Sequence, residues 1–150
     1  MIISREEIKV LIPHRKPFLF LDSCDIIEVG KKGIGYRKFL IDEYFFVGHF
    51  PNMPIVPGVI LIESLAQTAG VVVAKGFSNN KDKTVLFLSL SKAKFRKPVN
   101  VNDEISLHVS FINQVKSVYK FYGEAKKNDI KVCEAEFSAM IIDKDSKEIF

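Results

Sequence analysis

Residues 48–76 constrain the fold of this chain more than any other segment. They read GHFPNMPIVP followed by GVILIESLAQTAGVVVAKG. The three prolines up to Pro57 keep the first part extended and stiff. A helix becomes possible from Gly58, with Pro57 suited to its first position and Gly76 to its end. This predicted helix is apolar on nearly every side, so other elements of the fold must surround it.

Two polar side chains interrupt the apolar helix. Glu63 is the only formal charge between Tyr44 and Ala74, and a buried, unpaired carboxylate costs roughly several kcal/mol. Gln67 lies one turn further on, at a distance that allows it to bond Glu63. By itself, this pair is open to a purely structural interpretation.

His49 changes that interpretation. It stands in the stiff loop that leads into the helix, so rigid backbone holds two proton carriers, as acid–base chemistry requires. At the start of the helix, the amides of Gly58 and Val59 lack intrahelical partners and lie at the positive end of the dipole. They are suited to stabilise a carbonyl oxygen that gains negative charge.

The segment from Gly48 to Val59, with Glu63 and the Ala66-Gln67 pair after it, resembles the bacterial beta-hydroxyacyl-acyl carrier protein dehydratases of the hot-dog fold, Z type. Two further segments, 11–19 and 93–99, extend the resemblance over most of the chain. The sister A type, which also isomerises its product, carries Asp at the helix position. Glu63 therefore favours the Z type.

The resemblance implies an α+β hot-dog fold, in which an antiparallel sheet wraps around one long central helix. It also implies dehydration of beta-hydroxyacyl-acyl carrier protein to the trans-2-enoyl form in fatty acid elongation, without cofactor or metal. For this chemistry we assign His49 as the base and Glu63 as the acid, or as the group that positions the hydroxyl and water. The Gly58 amide is the oxyanion donor, and Gln67 supports Glu63.

The same resemblance implies partners. Basic side chains at Lys94, Arg96 and Lys97 suit the landing face of acyl carrier protein, although a basic strand edge can also serve only to block edge pairing. Hot-dog proteins pair edge to edge, and the dehydratases stack three dimers into a hexamer. In such a dimer the His49 loop of one subunit faces the Glu63 helix of the other, so each active site is composite.

Three other functions stay open on the sequence: a hot-dog acyl thioesterase, a coenzyme A hydratase, and a non-catalytic acyl-thioester sensor. The proline-spaced His49 loop argues against the first two, and a sensor would not need both His49 and Glu63. The chain also departs from the family pattern at two places. Val101-Asn102-Asp103 replaces a Pro-Gly-Asp turn, and Ser64 replaces Ala, where we expect its hydroxyl to bond the backbone without further effect.

Composition sets the remaining limits. The 150 residues, 47% hydrophobic, predict one soluble domain over 1–150. A net charge of +4, with no Trp, zinc spacing or Gly-rich phosphate loop, makes nucleic acid the weakest candidate partner. Early charges and the interrupted apolar helix predict a cytoplasmic protein without a membrane span. Cys24 and Cys133 are expected to be reduced packing residues.

Periodicity and turn signals place the other elements. A capping box at Ser4–Glu7 predicts a short helix that ends before Pro13, after which His14 is expected to be a loop residue with local hydrogen bonds. A first strand over 18–27 should form a hairpin with a strand ending at Phe39, across a turn at 30–33. A polar, mobile connection is expected at 78–83. Four long strands should follow, over 85–95, 104–115, 117–126 and 130–142.

Overall fold

A computed structural model of the chain describes residues 1–78 and 83–143. Strand β1 (Ile2–Ser4) and helix α1 (Arg5–Leu11) begin the chain, and the hairpin of β2 (Ser23–Glu28) and β3 (Lys32–Lys38) follows. A 3₁₀ turn (Tyr44–Phe46) leads to helix α2 (Gly58–Ala74). The last four strands are β4 (Lys83–Phe95), β5 (Glu104–Val115), β6 (Val118–Lys127) and β7 (Ile130–Asp143).

The strands form one antiparallel sheet around α2. Seven strands are ordered β1-β2-β3-β5-β6-β7-β4, and each paired neighbour is antiparallel. Helix α2 contacts β2 through β7, and every residue from Ser64 to Ala74 is buried. The predicted wrapping of an antiparallel sheet around one long, nearly all-apolar helix is confirmed.

A glycine in β3 allows the helix to approach the sheet closely. A Cβ added at Gly35 would collide with Thr68 Oγ1 and lie 2.8 Å from Leu21 Cδ2. The Thr68 hydroxyl is itself held, because it donates to Ser64 O at 2.9 Å. The distance between α2 and β3 therefore depends on the missing side chain at Gly35.

Most local signals in the sequence predicted the right element. Helix α1 ends at Leu11 and begins with the expected capping box, in which Ser4 accepts from the Glu7 amide. The β6–β7 turn places Asn128 and Asp129 at φ of 50° and 63°, a conformation that Asn and Asp tolerate. Asn102 has a φ of 67°, so Asn adopts the left-handed conformation in the substituted turn. Pro57 differs slightly from its prediction, because it caps α2 and does not begin it.

The predicted first strand is wrong over its first half, since β2 begins only at Ser23. Leu19, Phe20 and Leu21 are at most 2% exposed, yet they form a loop, and the Phe20 amide donates to the Gln67 side chain and not to a neighbouring strand. An apolar run indicates burial, and at Phe20 a side chain replaces a strand as the hydrogen-bond partner of the backbone. The short strand β1 was not predicted.

Three further expectations concern the surface and the thiols. Within the predicted 78–83 connection, residues 79–82 lie outside the described part of the chain. No helix within 1–78 or 83–143 has the length and apolar character needed to cross a membrane. Both cysteines are free and buried, and burial raises the pKa of Cys24 to about 12 and that of Cys133 to about 11. They are packing residues, as expected.

Candidate active site

The loop that carries His49 is fixed by its own backbone. Phe50 and Met53 exchange two amide–carbonyl bonds, of 3.1 and 3.0 Å, and the Ile55 amide donates to His49 O at 3.0 Å. Val56 N donates to Val99 O at 2.8 Å, which ties the loop to the segment after β4. The half-buried imidazole stacks on the Phe50 ring, with centroids 4.2 Å apart. The side chain is therefore presented by rigid main chain.

One hydrogen bond decides the tautomer of His49. Its Nδ1 lies 3.0 Å from Ile55 O, and a carbonyl oxygen can only accept, so Nδ1 must carry the hydrogen. In the neutral imidazole, Nε2 then keeps its lone pair. A lone pair on Nε2 is what a general base needs.

The start of α2 lies beside His49 in an open groove of about 410 Å³, which Arg96 and Lys97 also line. No side chain caps this helix end, so the first amides remain available as donors. A Cβ at Gly58 would lie 2.5 Å from Cε1 of Phe95. Glycine at this position therefore lets the Phe95 ring cover the helix start.

Glu63 lies one to two turns further along α2, with its side chain 18% exposed. Gln67 Nε2 donates to Glu63 Oε2 at 2.9 Å, so the predicted i,i+4 bond is confirmed. The same amide nitrogen donates to Phe18 O at 2.9 Å, and Gln67 Oε1 accepts from Phe20 N at 2.8 Å. Because backbone groups on both sides have fixed roles, they determine the orientation of the Gln67 amide.

His14 also faces Glu63, which the sequence analysis missed. Its Nε2 lies 3.5 Å from Glu63 Oε2. His14 therefore lies in a loop, as expected, but its side chain contacts the distant Glu63 and not a local partner. Arg15 fixes the loop by donating to the carbonyls of Lys9, Ile12 and His14. The available sequence signal was the position of His14 within the 11–19 segment that carries the family resemblance.

Ser64, beside Glu63, behaves as expected. Its fully buried hydroxyl donates to Ile60 O, one turn back, at 2.7 Å. This bond satisfies the hydroxyl within the helix backbone, and Ser64 does not contact the carboxyl group through it.

The Glu63 side chain lines a mainly apolar groove of about 700 Å³. Phenylalanine side chains at positions 18, 87 and 95 contribute to its walls, and Glu63 is the only ionisable side chain among the lining residues. Such a groove fits an extended hydrocarbon chain with one reactive centre near the carboxyl group.

The structure separates the two proton carriers within one chain. His49, Gly58, Arg96 and Lys97 line the first groove, whereas Glu63 lines the second, and Val59 and Phe95 form walls of both. Within residues 1–78 and 83–143, no hydrogen bond or ion pair joins His49 to Glu63.

The predicted basic face is partly neutralised. Arg96 donates to Glu134 Oε1 at 2.7 Å, and bonds from Lys131 and then Arg96 lower the pKa of Glu134 to about 2. Lys97 is exposed and lines the His49 groove, whereas Lys94 is exposed on β4 and lines neither groove. Lys97 therefore carries the least compensated charge beside His49.

No group of three or more His, Cys, Asp or Glu side chains in the described ranges is placed to hold a metal ion. The polar groups that the site does offer are an imidazole, a carboxyl group and helix-start amides. These groups can move protons and stabilise an oxyanion.

The fold and the site together define a hot-dog protein in which an apolar groove holds one carboxyl group and a neighbouring groove holds one imidazole. Residues 12–136 match the family model described as the FabA-like domain. The chain belongs to this family, and the resemblance identified in its sequence is confirmed.

Three curated relatives illustrate the similarity, each described as 3-hydroxyacyl-[acyl-carrier-protein] dehydratase FabZ. The protein from Paramagnetospirillum magneticum is 41% identical over 143 residues, which cover 95% of this chain and 89% of the relative. That from Rhodospirillum rubrum is 43% identical, with 90% and 85% covered. That from Sulfurimonas denitrificans is 40% identical, with 96% and 100% covered.

Solved structures share the fold at low sequence identity. A chain of the dehydratase heterocomplex ApeI:P from Xenorhabdus doucetiae matches with a TM-score of 0.73 and 15% identity, over 91% of both chains. A hypothetical thioesterase with coenzyme A from Streptococcus pneumoniae matches with a TM-score of 0.58 and 12% identity, over 95% of this chain and 100% of that one. The expected hot-dog fold is confirmed.

Proposed function

We propose that this protein is a hydro-lyase that removes water from beta-hydroxyacyl-acyl carrier protein to give the trans-2-enoyl thioester, in fatty acid elongation. The observation that carries the proposal is the single carboxyl group of Glu63 in a mainly apolar groove, next to a groove where His49 in its neutral form keeps the lone pair of Nε2. The relatives described as dehydratases of this class, at about 40% identity, support it.

The proposed chemistry uses three groups. His49 Nε2 takes the proton from C2 of the substrate, and Glu63 gives a proton to the C3 hydroxyl. The electron pair of the C2–H bond forms the C2–C3 double bond as the C3–O bond breaks and water leaves. The Gly58 amide donates to the thioester oxygen while it carries negative charge. Acid–base assistance and one such donor are each worth about 100-fold or more in rate. The reaction needs no cofactor in this scheme.

We further propose that the active site is shared between two subunits. Strand β4 ends the sheet and pairs only with β7 among the described strands, yet Phe87, Leu88, Leu90 and Phe95 on it are 41–56% exposed. An apolar strand edge is prone to pair with another chain. Edge-to-edge pairing at β4 would bring His49 toward the partner's Glu63, which suits their separation within one chain. Three such dimers would form a hexamer.

The proposal also includes a carrier protein and a compartment. Lys97 and Arg96 line the groove that holds His49, so an acidic carrier bound there would deliver its acyl arm directly to the base. The ion pair with Glu134 offsets the positive charge of Arg96. Lys97 would therefore be the main contact for the carrier. A single domain in the cytoplasm, a reducing compartment, fits the two free buried thiols.

A direct assay tests the proposed activity. The purified protein is incubated with a 3-hydroxyacyl-acyl carrier protein, and the products are resolved by mass spectrometry, with His49→Ala as the inactive control. We expect loss of one water and retention of the thioester. Release of the free acid would identify a thioesterase, and tight binding without turnover would identify a sensor. Turnover only with coenzyme A esters would identify a coenzyme A hydratase.

A further inference from the structure

The two oxygens of the Glu63 carboxyl group have different surroundings. Oε2 lies 2.9 Å from Gln67 Nε2 and 3.5 Å from His14 Nε2. Within the described residues, no protein group bonds Oε1. The carboxyl group is therefore held from one side, by two nitrogen atoms on a single oxygen.

Both nitrogen atoms are hydrogen-bond donors. The backbone at Phe18 and Phe20 fixes the Gln67 amide so that its NH₂ group reaches Glu63. Among the described residues, the buried His14 Nδ1 has no hydrogen-bond partner. Nδ1 lacks a partner in either tautomer, whereas a hydrogen on Nε2 lies beside an acceptor, Glu63 Oε2, at 3.5 Å. The favoured tautomer of His14 therefore carries its hydrogen on Nε2.

A second, smaller space adjoins Glu63, next to the apolar groove of about 700 Å³, which we call the acyl groove. His14, Glu63 and Gln67 supply the polar lining of a cavity of about 110 Å³, whose other lining residues are apolar and lie on α2, β4 and β7. His14 is absent from the lining of the acyl groove, whereas Glu63 and Phe87 line both spaces. His14 thus contacts the carboxyl group from behind and does not line the space that would hold the substrate.

We infer that His14 is a positioning residue for the acid step, an inference that rests on the proposed function. With Gln67, it occupies Oε2 and leaves Oε1 as the oxygen that carries the transferable proton toward the C3 hydroxyl. Once that proton leaves, the carboxylate is negative, and the His14 N–H stabilises it more strongly than before. An interaction that strengthens along the reaction raises kcat without changing substrate affinity.

Two variants separate this role from simple packing. In His14→Gln the terminal amide keeps a donor near the Nε2 position, whereas His14→Leu keeps apolar bulk without a donor. We expect kcat to fall at least about 10-fold in His14→Leu with KM unchanged, and to be largely restored in His14→Gln. His108→Gln, a substitution of the histidine on β5, is the control and should leave kcat unchanged. Equal losses in the Gln and Leu variants would overturn the inference.

A double-mutant cycle tests whether His14 acts through Glu63. In the Glu63→Gln background, which has no proton to position, adding His14→Leu should cost no further activity. Independent losses that add would overturn the inference.

If the Leu variant does not fold, the tautomer of His14 still decides, because two-bond ¹⁵N–¹H spectra distinguish Nε2–H from Nδ1–H in the wild-type protein. The Nδ1–H form would contradict the inference even if dehydratase activity is present, whereas absence of that activity in the wild type contradicts the proposed function alone.

Discussion

Two histidines near the site are fixed in opposite ways. His49 donates from Nδ1 to a main-chain carbonyl and keeps Nε2 free, whereas His14 turns Nε2 toward a carboxylate and leaves Nδ1 unpartnered. The same side chain is thus suited to the proposed base in one place and to a donor in the other. The difference comes entirely from which ring nitrogen the surroundings bond.

Replacing His49 tests the base directly. We expect His49→Ala to lower kcat/KM at least about 100-fold, because the proton acceptor is removed. The fold should survive, since the loop is held by backbone bonds at His49 O, Phe50 and Val56 that do not involve the side chain. Turnover and the urea midpoint measure the two effects. A well-folded variant with near-normal turnover would exclude His49 as the base.

Glu63→Gln tests the acid while keeping its shape. We expect turnover to collapse, because the side chain has no acidic proton, and stability to be unchanged or higher, because an ionisable group is removed from a mainly apolar groove. Kinetics and urea denaturation of the same preparation provide the comparison. The opposite pattern, in which stability falls while turnover persists, would make Glu63 a structural carboxylate.

The candidate site was predictable where its parts are close in sequence. His49, Gly58 and Glu63 lie within one stiff segment, so residue spacing and helix geometry indicate their chemistry. The His14–Glu63 contact joins residues far apart in the sequence, and it depends on how the loop before β2 folds over α2. No local pattern reports such a contact, because it arises only from tertiary packing.

At the scale of the elements, long periodic strands and the buried helix were predictable, and the 18–22 loop was not. Strand β5 was predicted with its observed bounds, Glu104–Val115, because its apolar residues alternate. Residues 19–21 are buried without alternation, so their sequence does not distinguish a strand from a packed loop. What decides between them is Gln67, a residue of the helix, which takes the backbone bond that a strand would have taken.

Alanine substitutions at two glycines are expected to change the stability of the protein in opposite directions. Gly35→Ala should destabilise the protein by about 1–3 kcal/mol, because its Cβ meets Thr68 and Leu21. Gly70→Ala, inside α2, should stabilise it by about 0.5–1 kcal/mol, because alanine favours the helix and its Cβ meets Ile12 at an ordinary 3.4 Å. Urea denaturation of both variants measures the difference. Equal effects would mean that β3 and α2 are not in close contact at Gly35.

Arg96 and Lys131 both pair with Glu134, and this charge network predicts how stability depends on pH. Lys131 and Arg96 lower the pKa of Glu134 from 4.5 to about 2. The depressed pKa contributes stability above about pH 4.5 that is lost as the pH falls toward 2. Glu134→Gln should therefore be less stable than wild type at neutral pH and show a flatter decline over that range.

Glu6→Gln is the control for this pH series, since Glu6 is paired with Lys9 alone in the described part of the chain and its side chain is 81% exposed. Its acid profile should follow the wild type. A Glu134→Gln profile parallel to the wild type, measured by denaturation at each pH, would show that the network does not contribute to acid stability.

At the scale of the whole molecule, strand β4 forms an edge of the sheet and has a strand partner on one side only among the described strands. Its apolar side chains border the groove that holds Glu63, so whatever covers this edge also helps to enclose the substrate. The second copy of the chain that we propose at this edge would meet both needs with one symmetric contact. Assembly and activity are then expected to depend on the same surface.

Subunit mixing tests the shared site. His49→Ala and Glu63→Ala are each inactive in the proposal, but a mixed dimer has one intact site and one doubly damaged site. With random exchange half the dimers are mixed, so about a quarter of wild-type activity should return. Exchange is verified by mass spectrometry with differently labelled subunits. No recovery after verified exchange would place His49 and Glu63 in the same chain's site.

Phe18 contributes to the site in two separate ways. Its carbonyl oxygen holds Gln67, and through it Glu63, while its side chain lines the acyl groove. Every amino acid supplies the same carbonyl oxygen, so substitutions at this position alter the groove without removing the anchor of the acid. Evolution can therefore change which acyl chains fit while the reaction itself is inherited intact, and a designer of new chain-length preferences has the same freedom.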